Sequence, residues 1–415
     1  MNVYYRGTFE IKCMDSCGKC DDYRFVLDAL KDEKNYIAYV TGNQAAAVAL
    51  TAFLLLENNI KTVLLPWMIA EKNDFNCYKR LSYKGLEILI VRDVNPSSDW
   101  VLGMFTSGST GAPQLFGFST SQINKTLDWY HSIYKVDENS LIITAMPVTY
   151  NFSFIAGVCN MASVGGTFIS ANPSLVPRII EKEGAKYDRI VILANPVLLD
   201  NFSDKIFEFK NLNLLVDSGG SPLSKNAIKI YRECGIDLRE GYGLTETCSL
   251  THFDTEAIAD SIGTVGKGLA DCRVEFVRIN NRDYARIFTQ NLGCKLKYDG
   301  SFAEENTEGG YLTTDIVRYD KDGRLELLGR KDDACINGYW PKDTLDLVGE
   351  IIGVKCSLVQ HIEEDIVITF LKDDISIDIV AIKELIVEKI KCSEDNIKLF
   401  INDQEMLHSM KIKRK

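Results

Sequence analysis

Short runs of apolar, β-branched residues alternate with amphipathic stretches through the first three quarters of this 415-residue chain. The stretches between these runs predict helices at 44–56, 121–134 and 225–233. Strands that alternate with helices favour βαβ units, so we expect mainly parallel sheets covered on both faces. The apolar runs themselves predict buried strands at 36–40, 62–65, 86–91, 101–105, 141–145, 189–193 and 214–216.

The pattern changes after residue 262 to strands and glycine-punctuated turns, which predicts a small β subdomain. Beyond residue 330 the sequence predicts a short α+β segment, with strands at 366–371 and 397–401 and a helix at 378–391. The predicted helix carries an apolar stripe of Ile379, Ile382, Ile386 and Ile390.

These changes divide the chain into three predicted parts. Residues 1–329 form a large multi-subdomain N-terminal domain of the α/β class, with mainly parallel sheets and the small β subdomain. Residues 330–332 form a hinge, and residues 333–415 form a small, mobile α+β C-terminal domain.

The charge balance limits the partners that we expect. Asp and Glu number 58 against 47 Lys and Arg, a net charge of −11 that disfavours a nucleic-acid partner. The longest apolar run, 45–56, is too short to span a bilayer, which takes about 20 residues, and the N-terminus lacks a signal-peptide pattern. We predict a soluble, cytosolic protein with no membrane partner, whose twelve cysteines are reduced thiols.

A hydroxyl-rich, glycine-rich segment directly follows the predicted strand 101–105. Successive N–H groups and hydroxyls in such a loop can cradle phosphate oxygens, and the alternative is an ordinary surface loop. The spacing disfavours a Walker-type loop, because Gln114 follows and no Lys-Ser/Thr pair is present. The candidate phosphate ligands are Thr106, Ser107, Gly108, Ser109, Thr110 and Gly111.

Further motifs follow this loop down the chain: Gly219-Gly220-Ser221-Pro222-Leu223, the segment 240–247 (EGYGLTET), 263–267 (GTVGK), 311–315 (YLTTD) and 329–333 (GRKDD). Together and in this order they resemble the acyl-adenylate-forming (ANL) superfamily, which includes acyl-CoA synthetases, luciferases and peptide-synthetase adenylation domains. The resemblance covers most of residues 36–340. It implies an acid–thiol ligase that uses ATP and Mg²⁺ to form an acyl-adenylate.

The resemblance also implies roles for single residues. Tyr242 packs on the adenine, Thr245 contacts the α-phosphate region, and Glu246 holds Mg²⁺, for which a carboxylate oxygen is a suitable ligand. The other positions implied to bind ATP or AMP in these motifs are Gly219, Gly220, Ser221, Gly241 and Gly243.

Four more positions carry implied roles toward the C-terminus. Asp315 and Arg330 bind the ribose hydroxyls; without the resemblance, a surface turn pair is the simpler interpretation. Asp332 is the hinge about which the C-terminal domain rotates. Lys411 bridges the substrate carboxylate and the α-phosphate, and the alternative for it is a solvated basic tail.

The sequence departs from the family pattern in four places. Gln114 replaces a Lys, Thr314 replaces a Gly, the segment 333–338 around Cys335 is short and lacks a Lys, and Met410 replaces a Gly before Lys411. These departures leave a second hypothesis open, in which the chain is a catalytically impaired nucleotide- or carrier-protein-binding partner in a biosynthetic complex.

The segment Tyr150-Asn151-Phe152 matches the part of the family that lines the acyl pocket. Relatives that activate amino acids have an Asp there to pair with the substrate amine, and Asn151 lacks that charge. We therefore predict an aryl or fatty acid substrate, with Tyr150 and Phe152 lining the pocket or belonging to the core. The acceptor implied by the resemblance is the thiol of CoA or of an acyl carrier protein's phosphopantetheine.

Sequence signals for other kinds of chemistry are weak or absent. Cys13, Cys17 and Cys20 have the spacing of an iron–sulfur or zinc site, but three of twelve cysteines near a terminus recur by chance. His131, His252, His361 and His408 show no metal-ligand spacing and are predicted to be surface or core residues. The sequence has no GxSxG, so nothing favours a hydrolase.

Overall fold

The computed structural model describes residues 10–13, 16–18, 20–72, 76–106, 112–303, 309–355, 357–370 and 377–401. The chain divides into two units. The first unit contains Met1–Leu193, Gly243–Leu250 and Gln290–Gly309, and the second contains Ala194–Tyr242, Thr251–Thr289 and Gly310–Lys415.

Strands and helices alternate up to residue 194. The strands are β1 (Glu10–Cys13), β2 (Ser16–Gly18), β3 (Tyr36–Gly42), β4 (Thr62–Leu64), β5 (Lys79–Tyr83), β6 (Leu86–Arg92), β7 (Trp100–Phe105), β8 (Leu115–Ser119), β9 (Ser140–Thr144), β10 (Thr167–Ser170) and β11 (Arg189–Ala194). The helices are α1 (Phe25–Leu30), α2 (Ala45–Glu57), α3 (Trp67–Lys72), α4 (Thr120–Tyr134), α5 (Asn160–Val164) and α6 (Val176–Glu183), with a π-helical segment (Phe152–Cys159) before α5.

Strands dominate the rest of the chain. They are β12 (Leu214–Ser218), β13 (Asp237–Leu244), β14 (Ser249–Phe253), β15 (Lys267–Gly268), β16 (Arg273–Ile279), β17 (Arg282–Phe288), β18 (Cys294–Leu296), β19 (Tyr311–Tyr319), β20 (Leu325–Arg330), β21 (Ser357–Ile362), β22 (Asp365–Phe370) and β23 (Ile397–Ile401). The helices are α7 (Pro196–Ile206), α8 (Lys225–Glu233), α9 (Pro341–Ile352) and α10 (Ile379–Ile390). One-turn 3₁₀ helices occur at Cys20–Tyr23, Pro173–Leu175, Gly184–Lys186, Phe207–Phe209, Thr245–Thr247, Ala259–Ser261 and Glu394–Asn396.

The first unit contains a mixed sheet with the strand order β18-β8-β7-β4-β3-β6-β5. Its central strands β7, β4 and β3 are parallel, whereas the pairs toward both edges are antiparallel. The two-residue turn Lys84-Gly85, with positive φ at both residues, joins β5 to β6 as a hairpin. Helix α2 is buried from Ala46 to Leu56, which explains its lack of a polar face.

A second set of strands in the first unit is mainly parallel. Strand β9 pairs in parallel with β11 and β10, β10 pairs in parallel with β1, and β2 adds an antiparallel edge. Helix α4 begins with a capping box, in which the side chains of Ser119 and Gln122 bond to each other's backbone N–H.

The second unit combines four groups of paired strands. Strands β12 and β13 pair in parallel, β14 and β15 are antiparallel, and β16-β17-β19-β20 form an antiparallel sheet. The last region pairs β21-β22-β23 and packs helices α9 and α10 on it. Its apolar core contains Leu345, Val348, Ile352, Val359, Ile366, Ile368, Phe370, Ile382, Ile386, Ile390 and Ile397.

The predicted fold class is confirmed, and every predicted strand and helix is present with small shifts at its ends. The structure also contains elements that were not predicted, among them β10, β13, β14, α6 and α7, and it differs from the prediction in further details. Strands β5 and β8 were not predicted and make the first sheet mixed, because short connections cannot supply parallel crossovers. Helix α9 and strand β21 were not predicted. Ile379 is 44% exposed, because it begins α10 and lies beyond the stripe that contacts the sheet. The 330–332 hinge and the domain limits around it stay predictions.

A search of the described residues for a helix that is both long enough and apolar enough to cross a bilayer finds none.

Candidate functional site

Tyr242 lies near the end of β13 with its side chain inside the second unit. Only 6% of the residue is exposed, and its carbonyl oxygen accepts a hydrogen bond from Thr251 Oγ1 at 3.1 Å. Its hydroxyl donates to Asp315 Oδ2 at 2.8 Å. Burial, and then the charge of Asp315, raise the pKa of Tyr242 well above its ordinary value. The phenol is therefore a neutral hydrogen-bond donor at physiological pH.

Asp315 lies on β19 directly opposite Arg330 on β20, so the sheet register brings the two side chains together. Arg330 Nε is 3.1 Å from Asp315 Oδ1, and the Asp315 N–H donates to Thr313 Oγ1 at 3.0 Å. We call Tyr242, Thr313, Asp315 and Arg330 the carboxylate cluster. A carboxylate has about four lone-pair positions, and the Asp315 carboxylate bonds to both Tyr242 and Arg330.

The turn after Arg330 contains the predicted hinge residue. The Arg330 N–H donates to Asp333 Oδ2 at 2.6 Å, and the Asp333 N–H donates back to the Arg330 carbonyl oxygen at 2.8 Å. The Lys331 N–H donates to the Thr314 carbonyl oxygen at 2.9 Å. Asp332 is exposed at the tip of this turn, whereas Asp333 is buried.

The Gly219-Gly220-Ser221 turn directly follows β12, at the carboxyl end of a parallel strand where α/β sheets bind ligands. The Gly219 N–H donates to the Ala194 carbonyl oxygen at 3.0 Å, and Gly220 has a φ of +84°. At the end of the turn, the Leu223 N–H donates to Glu240 Oε1 at 3.0 Å. Burial raises the pKa of Glu240 to about 7.

The first unit contains the residues that follow Tyr242. Asn151 Nδ2 donates to the Leu244 carbonyl oxygen at 3.2 Å, and the Leu244 N–H donates to Thr247 Oγ1 at 3.1 Å. We call Asn151, Leu244 and Thr247 the amide cluster. Thr245 and Glu246 are half-buried in the one-turn helix, whose position is fixed by a bond from the Gly293 N–H to the Glu246 carbonyl oxygen at 2.8 Å.

Gly243 is the position in this segment with the least room for a side chain. A Cβ atom there would lie 1.5 Å from the Ser249 carbonyl oxygen. Gly241, two residues earlier, is half-buried in β13. The glycine at 243 is therefore a steric requirement of the close approach between the segments 243–244 and 249–250.

The aromatic segment enters the π-helical turn of the first unit. The Tyr150 N–H donates to the Pro147 carbonyl oxygen at 3.2 Å, and burial raises the pKa of Tyr150. Tyr150 and Phe152 are half-buried, whereas Phe154 is fully buried and belongs to the core.

Two hydrogen bonds close the neck of the predicted phosphate loop. The Thr106 N–H donates to the Gln114 carbonyl oxygen at 2.8 Å, and the Gln114 N–H donates to Thr106 Oγ1 at 2.9 Å. Thr106 therefore supports the loop through its own side chain. The candidate ligands Ser107, Gly108, Ser109, Thr110 and Gly111 lie outside the described residues, as do Met410 and Lys411.

The structure brings together Tyr242, Asp315 and Arg330, and separately Asn151 and the residues after Tyr242. Sequence reasoning missed three supporting residues, Thr313, Asp333 and Glu240. The Thr313-Thr314-Asp315 spacing is a signal that could have identified Thr313, since a hydroxyl two residues away commonly caps a backbone N–H.

Two of the histidines among the described residues are buried in the core. His361 is buried between Thr344 Oγ1 at 2.9 Å and the Ala334 carbonyl oxygen at 3.1 Å, and burial lowers the pKa of His252 to about 4. His408 and the side chains of Cys13, Cys17 and Cys20 lie outside the described residues. Within the part of the chain that the structure describes, no three His, Cys, Asp or Glu residues are placed to hold a metal ion.

Comparison with protein families and curated proteins gives consistent matches. A family model described as AMP-binding enzyme matches residues 43–286. A 2-succinylbenzoate–CoA ligase of Lactococcus lactis is 30% identical over 169 residues, 40% of this chain and 36% of that protein. A long-chain-fatty-acid–CoA ligase of Salmonella typhimurium is 25% identical over 291 residues, 65% of this chain and 52% of that protein. The chain thus spans about half the length, or less, of these curated relatives.

Solved structures show the same fold. The O-succinylbenzoate coenzyme A synthetase of Bacillus subtilis in complex with AMP has a TM-score of 0.71 at 16% identity, over 99% of this chain and 95% of that one. The same protein in complex with ATP and magnesium ion has a TM-score of 0.69 at 16% identity, over 97% of this chain and 95% of that one.

Proposed function

Because this chain belongs to the AMP-binding enzyme family, within the acyl-adenylate-forming superfamily, we propose that it is an ATP-dependent acid–thiol ligase. In the first step a carboxylate oxygen attacks the α-phosphorus of ATP, the bond to the β-phosphate breaks, and pyrophosphate leaves. In the second step a thiolate attacks the acyl carbonyl carbon, the bond to the phosphate oxygen breaks, and AMP leaves. The thiol proton goes to solvent.

The carboxylate cluster is the observation that carries this proposal. Asp315 is only 6% exposed, and a carboxylate has acceptor positions that suit the two hydroxyls of a ribose. Arg330 Nε lies 3.1 Å from Asp315 Oδ1 and balances the negative charge of that carboxylate. Tyr242, fixed by its bond to Asp315, presents an aromatic ring for the adenine.

Glu246 fits the magnesium ion that the family uses with ATP. Its half-buried carboxylate follows a backbone held by Gly293, and Mg²⁺ is commonly bound by one or two carboxylates together with substrate phosphates. When bound, the ion neutralises negative charge on the triphosphate. We assign Thr245, the adjacent hydroxyl, to the α-phosphate region.

The acid is proposed to be aryl or fatty. Asn151 donates a hydrogen bond from its amide to the Leu244 carbonyl oxygen, and its own oxygen is neutral and lacks the negative charge that pairs with a substrate amine. The names of both curated relatives contain such acids, and both contain CoA. The acceptor is therefore proposed to be the thiol of CoA, with the phosphopantetheine of a carrier protein as the second candidate.

The test is ATP-dependent pyrophosphate release over a panel of aryl and fatty acids, with hydroxylamine as a surrogate acceptor. We expect release with one class of acid and its loss in Lys411→Ala, the residue proposed to bridge the carboxylate and the α-phosphate. Unchanged release in that variant would remove Lys411 from the mechanism. Silence across the panel with ATP still bound would favour the non-catalytic binding partner.

Asp332 is proposed as the hinge between the two half-reactions, because it is exposed in a turn that hydrogen bonds close on both sides. Asp332→Pro restricts φ there and should spare pyrophosphate release while slowing thioester formation. Equal loss of both steps would contradict the hinge.

A further inference from the structure

Helix α9 is fastened to the start of helix α8 by side chains that are withdrawn from water. Lys342, in the first turn of α9, is only 4% exposed, and its Nζ is 2.6 Å from Asp346 Oδ1. The same Asp346 oxygen accepts the backbone N–H of Lys225, the first residue of α8, at 2.8 Å. A carboxylate at this place satisfies a free N–H and the positive end of the helix dipole.

The approach of the two helices is close enough to require a glycine. Asn226 Nδ2 on α8 donates to the Gly349 carbonyl oxygen on α9 at 2.9 Å. A Cβ atom at Gly349 would lie 2.4 Å from Ser224 Cβ, and Ser224 is the residue that caps α8 through its bond from the Ala227 N–H. Any larger residue at 349 would therefore push α9 away from α8.

Glu240 connects this contact to the Gly219-Gly220-Ser221 turn. Its Oε1 accepts the N–H of Leu223, at the end of that turn, and the charge of Lys342 attracts its carboxylate. Lys342 is thus bonded to Asp346 on its own helix, and its positive charge also favours the ionised form of Glu240 on β13. A buried ammonium that loses such partners is strongly unfavourable.

We infer that Glu240, Lys342, Asp346 and Gly349 form a latch that positions the turn 219–223 for ATP by holding helix α9 on helix α8. The other face of α9 belongs to the core it shares with β21, β22 and α10, so the latch anchors that whole region of the second unit. Displacement of α9 would expose Lys342 to water and move its positive charge away from Glu240, whose carboxylate accepts the Leu223 N–H. These four are positioning residues, and the inference rests on the proposed function for its effect on ATP.

The test combines hydrogen exchange with kinetics on the full chain. The variants are Lys342→Met, Gly349→Val and the double variant Lys342→Met/Asp346→Asn. Glu350→Gln is the control, because it removes one exposed charge from the same helix. We expect Lys342→Met and Gly349→Val to exchange about tenfold faster in 219–226 and 341–352. The KM for ATP should rise about tenfold in pyrophosphate release at unchanged kcat, as the loss of a positioning contact predicts.

The double variant separates a latch from general destabilisation. Replacing the Asp346 carboxylate together with Lys342 leaves neither charge without its partner, and an amide oxygen at position 346 can still accept the Lys225 N–H, so most of the rise in KM should be reversed. If both single variants exchange hydrogen at the wild-type rate in 219–226 and 341–352, the latch is overturned even when pyrophosphate is released. If exchange is faster but the KM for ATP is unchanged, the effect of the latch on ATP is overturned. Should the wild type release no pyrophosphate, the proposed function fails separately. AMP protection of 219–226 in wild type and its loss in Lys342→Met would then support the latch, and equal protection would overturn it.

Discussion

The carboxylate cluster of the second unit and the amide cluster of the first unit are built from different interactions. Asp315 is buried and bonded to a phenol and a guanidinium, so its contacts involve a full charge in a low-dielectric environment. Asn151 and Thr247 instead bond neutral groups to the backbone of Leu244. Charge-assisted hydrogen bonds are about twice as strong as neutral ones, and their partners are more costly to leave unpaired.

This difference indicates how each cluster should respond to substitution. The carboxylate cluster should behave as one unit, in which loss of a member disables the rest. The amide cluster should tolerate polar changes in its side chains, because its constraint is steric and lies in the backbone around Gly243.

The largest effect is expected from Asp315→Ala. It leaves Tyr242 and Arg330 without their shared partner and removes both acceptor positions proposed for the ribose, so kcat/KM for pyrophosphate release should fall about 10²- to 10³-fold. ATP binding by calorimetry should weaken in parallel. The control is Glu364→Ala, an exposed carboxylate in the turn between β21 and β22. A loss below tenfold would contradict the central place given to Asp315.

Gly243→Ala tests the steric constraint of the amide cluster. A Cβ atom 1.5 Å from the Ser249 carbonyl oxygen forces the backbone apart, and we expect a loss of about 4 kcal/mol in the free energy of unfolding. Urea titration measures it. Gly309→Ala, where nothing lies within 4 Å of the added Cβ, should change stability by less than about 0.5 kcal/mol. Similar values for the two variants would show that the segment relaxes.

Glu240 makes the second unit sensitive to pH. Its pKa rises from 4.5 to about 7 on folding because of burial, so the folded chain holds a proton that the unfolded chain has lost between these values. The contribution of the protonated Glu240 to the free energy of unfolding is fully present below pH 4.5 and is lost as the pH rises to 7, a change of the order of 3 kcal/mol. Glu240→Gln should remove this decline from urea titrations at pH 5 to 8. Parallel profiles for wild type and variant would contradict it.

Asn151→Asp should have the smallest effect. The carboxylate cannot donate to the Leu244 carbonyl oxygen, and one neutral hydrogen bond is lost, which corresponds to a rise of about three- to tenfold in the KM for the acid. The change is measured with the preferred acid from the panel, at saturating ATP. A loss as large as that of Asp315→Ala would show that the two clusters are equally dependent on charge.

Local patterns predicted more of the fold than of the site. The predicted strands and helices follow from apolar periodicity, which depends on neighbours along the chain. Helix α9 and strand β8 were missed, since one begins at a Trp-Pro step and the other is a five-residue run containing a glycine. In the sequence Glu240 and Lys342 each look like surface residues, because a charged residue is rarely buried without a partner. The two residues lie 102 positions apart, so the local sequence around either one does not show the other.

The sequence by itself determined the alternation of strands and helices, the glycine turns and the order of motifs that identify the family, because these depend on residue type and short spacing. Only the tertiary structure decided which distant groups meet: that Tyr242 bonds to Asp315, 73 residues away, that Asn151 bonds to Leu244, and that Asp346 accepts the N–H of Lys225, 121 residues away. Such contacts depend on strand register and helix docking, which the packing of the whole chain sets and no local pattern contains.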